Sequence, residues 1–205
     1  MENSLSNIPT SRLEALTDGI FAVAMTILVL SIEIPSPASS GIADIDLYVV
    51  SLIPQISIYF ISFILLGCFW ITHHSFFLIE RSNLTLIWIN ILWLMAICLV
   101  PLSVSLVANY GNYVISDIFF GFNIFTIGLL YLIDIYYAHK KGFFKKHLNF
   151  DINLFFSFPI AIMLLSVLDI SISLINPTYT KFFYLLIPLF AISWKFFYRI
   201  KFFKN

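Results

Sequence analysis

Arg12, Thr17 and Asp18 stand together in one apolar segment, His73 and His74 close a second, and Asn90 lies near the start of a third. A carboxylate and an imidazole can share a proton or hold a metal ion, and the same groups hydrogen-bonded to one another tie helices together. Adjacent histidines project about 100° apart on a helix, so His73 and His74 cannot clamp one ion as an i, i+4 pair does. No further ligand stands at suitable spacing. A structural polar network therefore ranks first, a proton or pH-sensing role second, and metal binding or catalysis last. Enzyme chemistry finds no Gly-rich loop, no paired carboxylates at useful spacing and no zinc cluster, so the chain does not read as an enzyme. Asp134 and Asp169 fall near the ends of later segments, where water or a snorkelling partner would satisfy them. Cys68 and Cys98 sit within apolar runs and read as inert small core residues.

Six apolar runs must position these groups, spanning about 14–34, 47–71, 84–107, 114–137, 152–175 and 182–198. A hydrocarbon core takes ~20 helical residues to cross. Threading the runs in order puts every Lys and Arg except Lys181 on one face, Arg12, Arg81, Lys140, Lys141 and Lys195 among them. The positive-inside rule then makes both termini cytoplasmic. Composition agrees: the chain is 60% hydrophobic and 11% charged, where a soluble domain carries about a quarter charged residues. The reading is an all-α membrane protein with six transmembrane helices, residues 1–205 forming one domain. Nucleic acid is excluded as a partner, because the basic residues form no aromatic-interleaved groove. The basic stretch His139–His147 is either topology signal or a contact for anionic lipid headgroups. Met1–Ser11 lacks a basic n-region, so the first span is expected to remain in the mature protein.

The first run is unusual. Ser11-Arg12-Leu13-Glu14 forms an S-x-x-E capping box that is expected to start the helix. Beyond it Gly19, Val23, Thr26, Ile27, Leu30 and Ile34 share one stripe, while Asp18, Phe21, Ala22 and Met25 lie opposite. A carboxylate at the depth of Asp18 costs a few kcal/mol unless it is paired or wet. Topology brings the histidines and Asn90 to the same inner level, so one knot of Arg12, Thr17, Asp18, His73 or His74, and Asn90 is expected to join three helices. The stripe itself has two readings, helix packing or a pore lining, and Thr26 can equally bond its own backbone.

Residues 12–26, together with Ser62-Phe63, Trp70-Ile71-Thr72-His73-His74, Asn90 with Leu94, and Pro101, resemble the first three helices of the transmembrane protein 175 family. These are the lysosomal potassium channels and their prokaryotic relatives. The pattern R-x-x-x-F-S-D reads here Arg12 through Leu16-Thr17-Asp18. The resemblance covers about residues 11–110. It implies a potassium-preferring cation channel, a homotetramer of six-helix chains in a prokaryotic plasma membrane. The first helix of each subunit would line the pore, with K⁺ as permeant ion and no cofactor. Carried onto this chain, it makes Val23 the narrow apolar gate, Ile27 and Leu30 further hydrophobic layers, and Thr26 a hydroxyl ring linked to selectivity. Arg12, Asp18 and His73 or His74 match the family's polar network. Two departures stand out: Leu16-Thr17 replaces Phe-Ser, and the gate residue is Val where a larger aliphatic is usual.

Two other classes compete. A proton- or cation-coupled secondary transporter would use Asp18 and the His73/His74 pair, with Asp134 and Asp169 extending a relay; against it, no inverted repeat or matched pair of broken helices is visible. A membrane scaffold would tolerate loss of the polar knot without any effect on ion flux. Composition and topology alone leave channel, transporter and scaffold level. The family resemblance favours the channel.

Overall fold

The computed structural model describes residues 10–32, 45–73, 79–144 and 152–176. The last apolar run, 182–198, lies outside them, as do His74, Glu33, Asp44 and Lys181. Seven α-helices occur among the described residues: α1 Thr10–Ile27, α2 Ile45–Ser51, α3 Ile53–His73, α4 Leu84–Cys98, α5 Val100–Tyr110, α6 Val114–Lys140 and α7 Ile152–Ser173. A 3₁₀ turn, Leu28–Ser31, extends α1. Together they make five segments long and apolar enough to cross a membrane: Thr10–Ser31, Tyr48–His73, Leu84–Tyr110, Val114–Lys140 and Phe155–Ser173.

Proline divides two of the expected spans. The pause between α2 and α3 falls at Leu52, just before Pro54, and the one between α4 and α5 falls at Leu99, before Pro101. Proline has no N–H to donate and disfavours helical backbone in the residue before it. The α4–α5 joint is satisfied from α6. In the amide orientation that fulfils its hydrogen bonds, Asn123 donates to the Ala96 carbonyl (3.0 Å) and accepts from the Val100 N–H (3.3 Å) and the Ser103 hydroxyl (3.2 Å). A break in a membrane helix thus keeps its backbone partnered.

The ends of the spans that carry Arg81, Lys140 and Lys141 are clipped together. Asn83 caps α4, accepting from the Leu86 N–H at 3.0 Å and donating to the Tyr137 hydroxyl of α6 at 2.8 Å. Gly142 (φ 66°) ends α6 in a Schellman turn, with Gly142 N–H on the His139 carbonyl and Phe143 N–H on that of Ala138, both at 3.0 Å. The turn delivers Phe143, whose carbonyl accepts from Glu80 N–H at 2.8 Å. The capping box departs from expectation, because α1 already includes Thr10 and Ser11 lies inside the helix.

Packing runs as a series. α6 and α7 form the most extensive pair, α6 also meets α4 and α5, and α1 seats on α3, α4 and α5. α1 therefore stands at one edge of the described bundle and α7 at the other. Two glycines let α6 approach α7 closely. A Cβ at Gly121 would lie 2.6 Å from Ile170 Cγ1, and one at Gly128 would lie 2.9 Å from Met163 Cγ and 3.2 Å from the Pro159 carbonyl. Small residues matter here because lipid is as apolar as leucine, so close van der Waals contact holds the helices together. Cys68 is buried as expected, but Cys98 is exposed, since it falls on the outward side of α4.

Gly128→Leu is expected to force α7 off α6 and lower the thermal stability of the purified protein by about 1–3 kcal/mol, the usual cost of overpacking. Gly67→Ala, whose added Cβ would meet nothing nearer than the flexible end of Met25 at 3.8 Å, serves as the control in the same melting assay and should change stability far less.

Candidate functional site

The inward face of α1 is Leu13, Thr17, Phe21 and Ala24, continued by Leu28, all buried. The stripe on its other side stays uncovered: Val23 is 56% exposed, Ile27 44% and Leu30 75%. Gly19 and Thr26 are exposed on the same side. Thr26 donates its hydroxyl hydrogen to the Val23 carbonyl at 2.8 Å. Its oxygen lone pairs are left outward, able to accept from water or to face a cation. Asp46, at the start of α2, is exposed.

The polar residues do not form one knot. Thr17 is buried but turns back on its own helix, donating to the Leu13 carbonyl at 2.9 Å. Arg12 is exposed on the same face as Leu16. Asp18 is exposed and accepts from Trp70 Nε1 at 2.8 Å, pinning the N-terminal half of α1 to the C-terminal end of α3. The deeper link omits α1 altogether: Asn90 Nδ2 lies 2.8 Å from His73 Nε2 and 3.3 Å from Asp134 Oδ2. His73, Asn90 and Asp134 are all buried. The single cluster divides because Asp18 stands on the exposed flank of α1, whereas His73 and Asn90 face the seam between α3, α4 and α6.

Trp93 joins the two parts through its rings. It stacks on His73 (centroids 4.7 Å apart, planes 15° apart) and lies 5.7 Å from both Phe21 and Tyr131. Tyr131 in turn donates its hydroxyl to the Thr72 carbonyl at 3.0 Å. The seat of α1 is thus an aromatic floor held from behind by polar bonds. Sequence reading missed Trp93, Trp70 and Asp134 as members. Depth could have found Asp134: it lies six residues before the end of α6, and Asn90 lies six after the start of antiparallel α4.

Asp134 and Asp169 are also drier than expected. Asp134 is fully buried, and Asp169 is 1% exposed with neither carboxylate oxygen hydrogen-bonded. Asp169 packs near Gly121 of α6, thirteen residues from Asp134 and so about 20 Å along the helix. A relay through Asp18, Asp134 and Asp169 would have to join three separate seams. No group of three or more His, Cys, Asp or Glu able to hold a metal occurs among the described residues.

Fold and site define a polytopic helical membrane protein that turns one apolar helix face outward and keeps its polar bonds behind it. Comparison with known proteins takes the class further. Residues 12–101 match the family described as endosomal/lysosomal potassium channel TMEM175. Over 102 residues the chain is 32% identical to a potassium channel of Streptomyces collinus and 34% identical to one of Chamaesiphon minutus. In each case about 49% of this chain is aligned, against 48% and 50% of those proteins. The chain spans about half the length of these curated relatives. A crystal structure of the lysosomal potassium-selective channel TMEM175 homologue from Chamaesiphon minutus superposes with a TM-score of 0.79. That match covers 90% of this chain and 96% of the other at 21% identity, and so speaks for the fold. Residues 12–101 are thus similar to the TMEM175 family, a family of ion channels and not of enzymes.

Replacing Asn90 by Leu should strand two buried groups, His73 Nε2 and the Asp134 carboxyl, at about 1–3 kcal/mol each. Trp70→Phe removes the bond to Asp18 at an exposed rim and should cost under about 1 kcal/mol. Chemical or thermal denaturation in detergent would separate them, and equal losses would contradict the division into two parts.

Proposed function

We propose that the chain is a subunit of a potassium-preferring cation channel in a prokaryotic plasma membrane. The observation that carries this reading is the exposed Val23–Ile27–Leu30 stripe on a helix at the edge of the bundle, within the segment that matches the channel family. Four six-helix chains, the sixth helix being 182–198 and both termini cytoplasmic, assemble so that the first helices converge on an axis. Membrane lipid surrounds the assembly, K⁺ is the permeant ion, and no cofactor takes part.

Rings of Val23, Ile27 and Leu30 then close the pore by dewetting, and a small tilt of the helices readmits water. The Thr26 oxygens, their hydrogens committed to the Val23 carbonyls, offer acceptors at one level of the pore. Without a ring of carbonyl ligands, selection rests on pore width and partial dehydration, so preference for K⁺ over Na⁺ is moderate. Arg12, Thr17, Asp18, His73, His74 and Asn90 serve structure: they fix how the pore helix stands. Asp46, with Glu33 and Asp44, enriches cations at the outer mouth.

Single-channel recording in planar bilayers tests this. Val23→Ser should raise conductance several-fold, because a hydroxyl-lined ring of smaller side chains stays wet. Unchanged current from folded, tetrameric Val23→Ser protein would remove Val23 from the gate, and saturable, coupled flux in place of conductance steps would favour a transporter.

A further inference from the structure

In the seam between α4 and α6 a side-chain amide meets a carboxyl group. Asn90 Nδ2 donates to Asp134 Oδ2 at 3.3 Å, while the second oxygen of each group, Asn90 Oδ1 and Asp134 Oδ1, has no hydrogen-bond partner. Both side chains are fully buried. No cation compensates Asp134 among the described residues, where Asn90 is the group that bonds it. Two orphaned acceptors on a bonded pair of buried side chains, in a helix seam surrounded by lipid, would each cost on the order of 1–3 kcal/mol.

One hydrogen atom on Asp134 Oδ1 removes both deficits. A carboxylic acid and a primary amide form a closed ring of two bonds, N–H to C=O and O–H to C=O, and the observed Nδ2–Oδ2 contact is one half of that ring. We propose that Asp134 is a proton-binding site: its carboxyl holds a proton on Oδ1 and donates it to Asn90 Oδ1. The rest of the network accommodates this protonation state. The two amide hydrogens of Asn90 serve Asp134 Oδ2 and His73 Nε2, so the imidazole accepts at Nε2 and is neutral. His73 is the titratable group joined to the pair, and its ring is stacked flat on Trp93. The ligand is a proton, held off the pore, in the seam behind the aromatic floor on which α1 rests.

Infrared spectroscopy of the purified protein at neutral pH, in H₂O and in D₂O, reads the proton directly. The wild-type spectrum should contain a carboxylic-acid C=O band, shifted by deuterium, that is missing from Asp134→Asn. This variant keeps the shape of the acid and can donate the same bond from its amide. If Asp134→Asn instead removes intensity only from the ionised-carboxylate region, Asp134 carries a charge and the proposal fails. Asn90→Ala is the second probe. Loss of the acceptor should move the Asp134 acid band to higher wavenumber, and an unmoved band would overturn the ring. Acid-band intensity left unchanged in Asp134→Asn belongs to another buried carboxyl, such as Asp117 or Asp169, and would equally refute the assignment.

Discussion

A helix in a bilayer gains almost nothing by hiding leucine from lipid, so the side of α1 that faces the protein must be chosen by something other than hydrophobicity. Here the choice is made by shape and by a few polar bonds. Phe21 meets Trp93, Ala24 and Leu28 pack against neighbouring helices, and Trp70 holds Asp18 in the N-terminal half of α1. Once those contacts are made, helical geometry leaves Val23, Ile27 and Leu30 outward with no freedom to turn. Everything proposed about conduction depends on that orientation.

The aromatic floor needs its own support, and polar bonds supply it from the far side. His73 is held flat against Trp93 because Asn90 fixes its Nε2, and Asn90 is fixed in turn by Asp134 of α6. α6 is anchored at its C-terminal end by Asn83 and the Schellman turn, and along its length by the glycine seam with α7. A chain of contacts therefore runs from α7 through α6 and α4 to α1. The bonds near the seat of α1 are each worth about 1–2 kcal/mol at most, which suits the small tilt proposed for this helix.

Much of this was legible in the sequence. Hydropathy placed the five described spans, and the first-helix motif, which no periodicity argument could have weighed, pointed to the family that residues 12–101 resemble. The outward stripe was visible from 100° spacing, although lipid packing and pore lining look alike at that level. What escaped was tertiary. Pro54 and Pro101 split helices that hydropathy draws as continuous, because hydropathy counts side chains and ignores a missing N–H. Asp18 and Asn90 were assigned to one knot since they share a depth. Depth says nothing about azimuth, and the structure puts them on different faces. Asp134 was read as wet because it lies near an end, yet it is fully buried in the seam where Asn90 bonds it.

Potassium uptake into liposomes containing the purified protein, with sodium as the parallel cation, tests the central claim most directly. The account predicts fast, electrogenic K⁺ uptake that exceeds Na⁺ uptake by a moderate factor. Folded, tetrameric protein that carries neither ion, even with Val23 replaced by Ala, would contradict it.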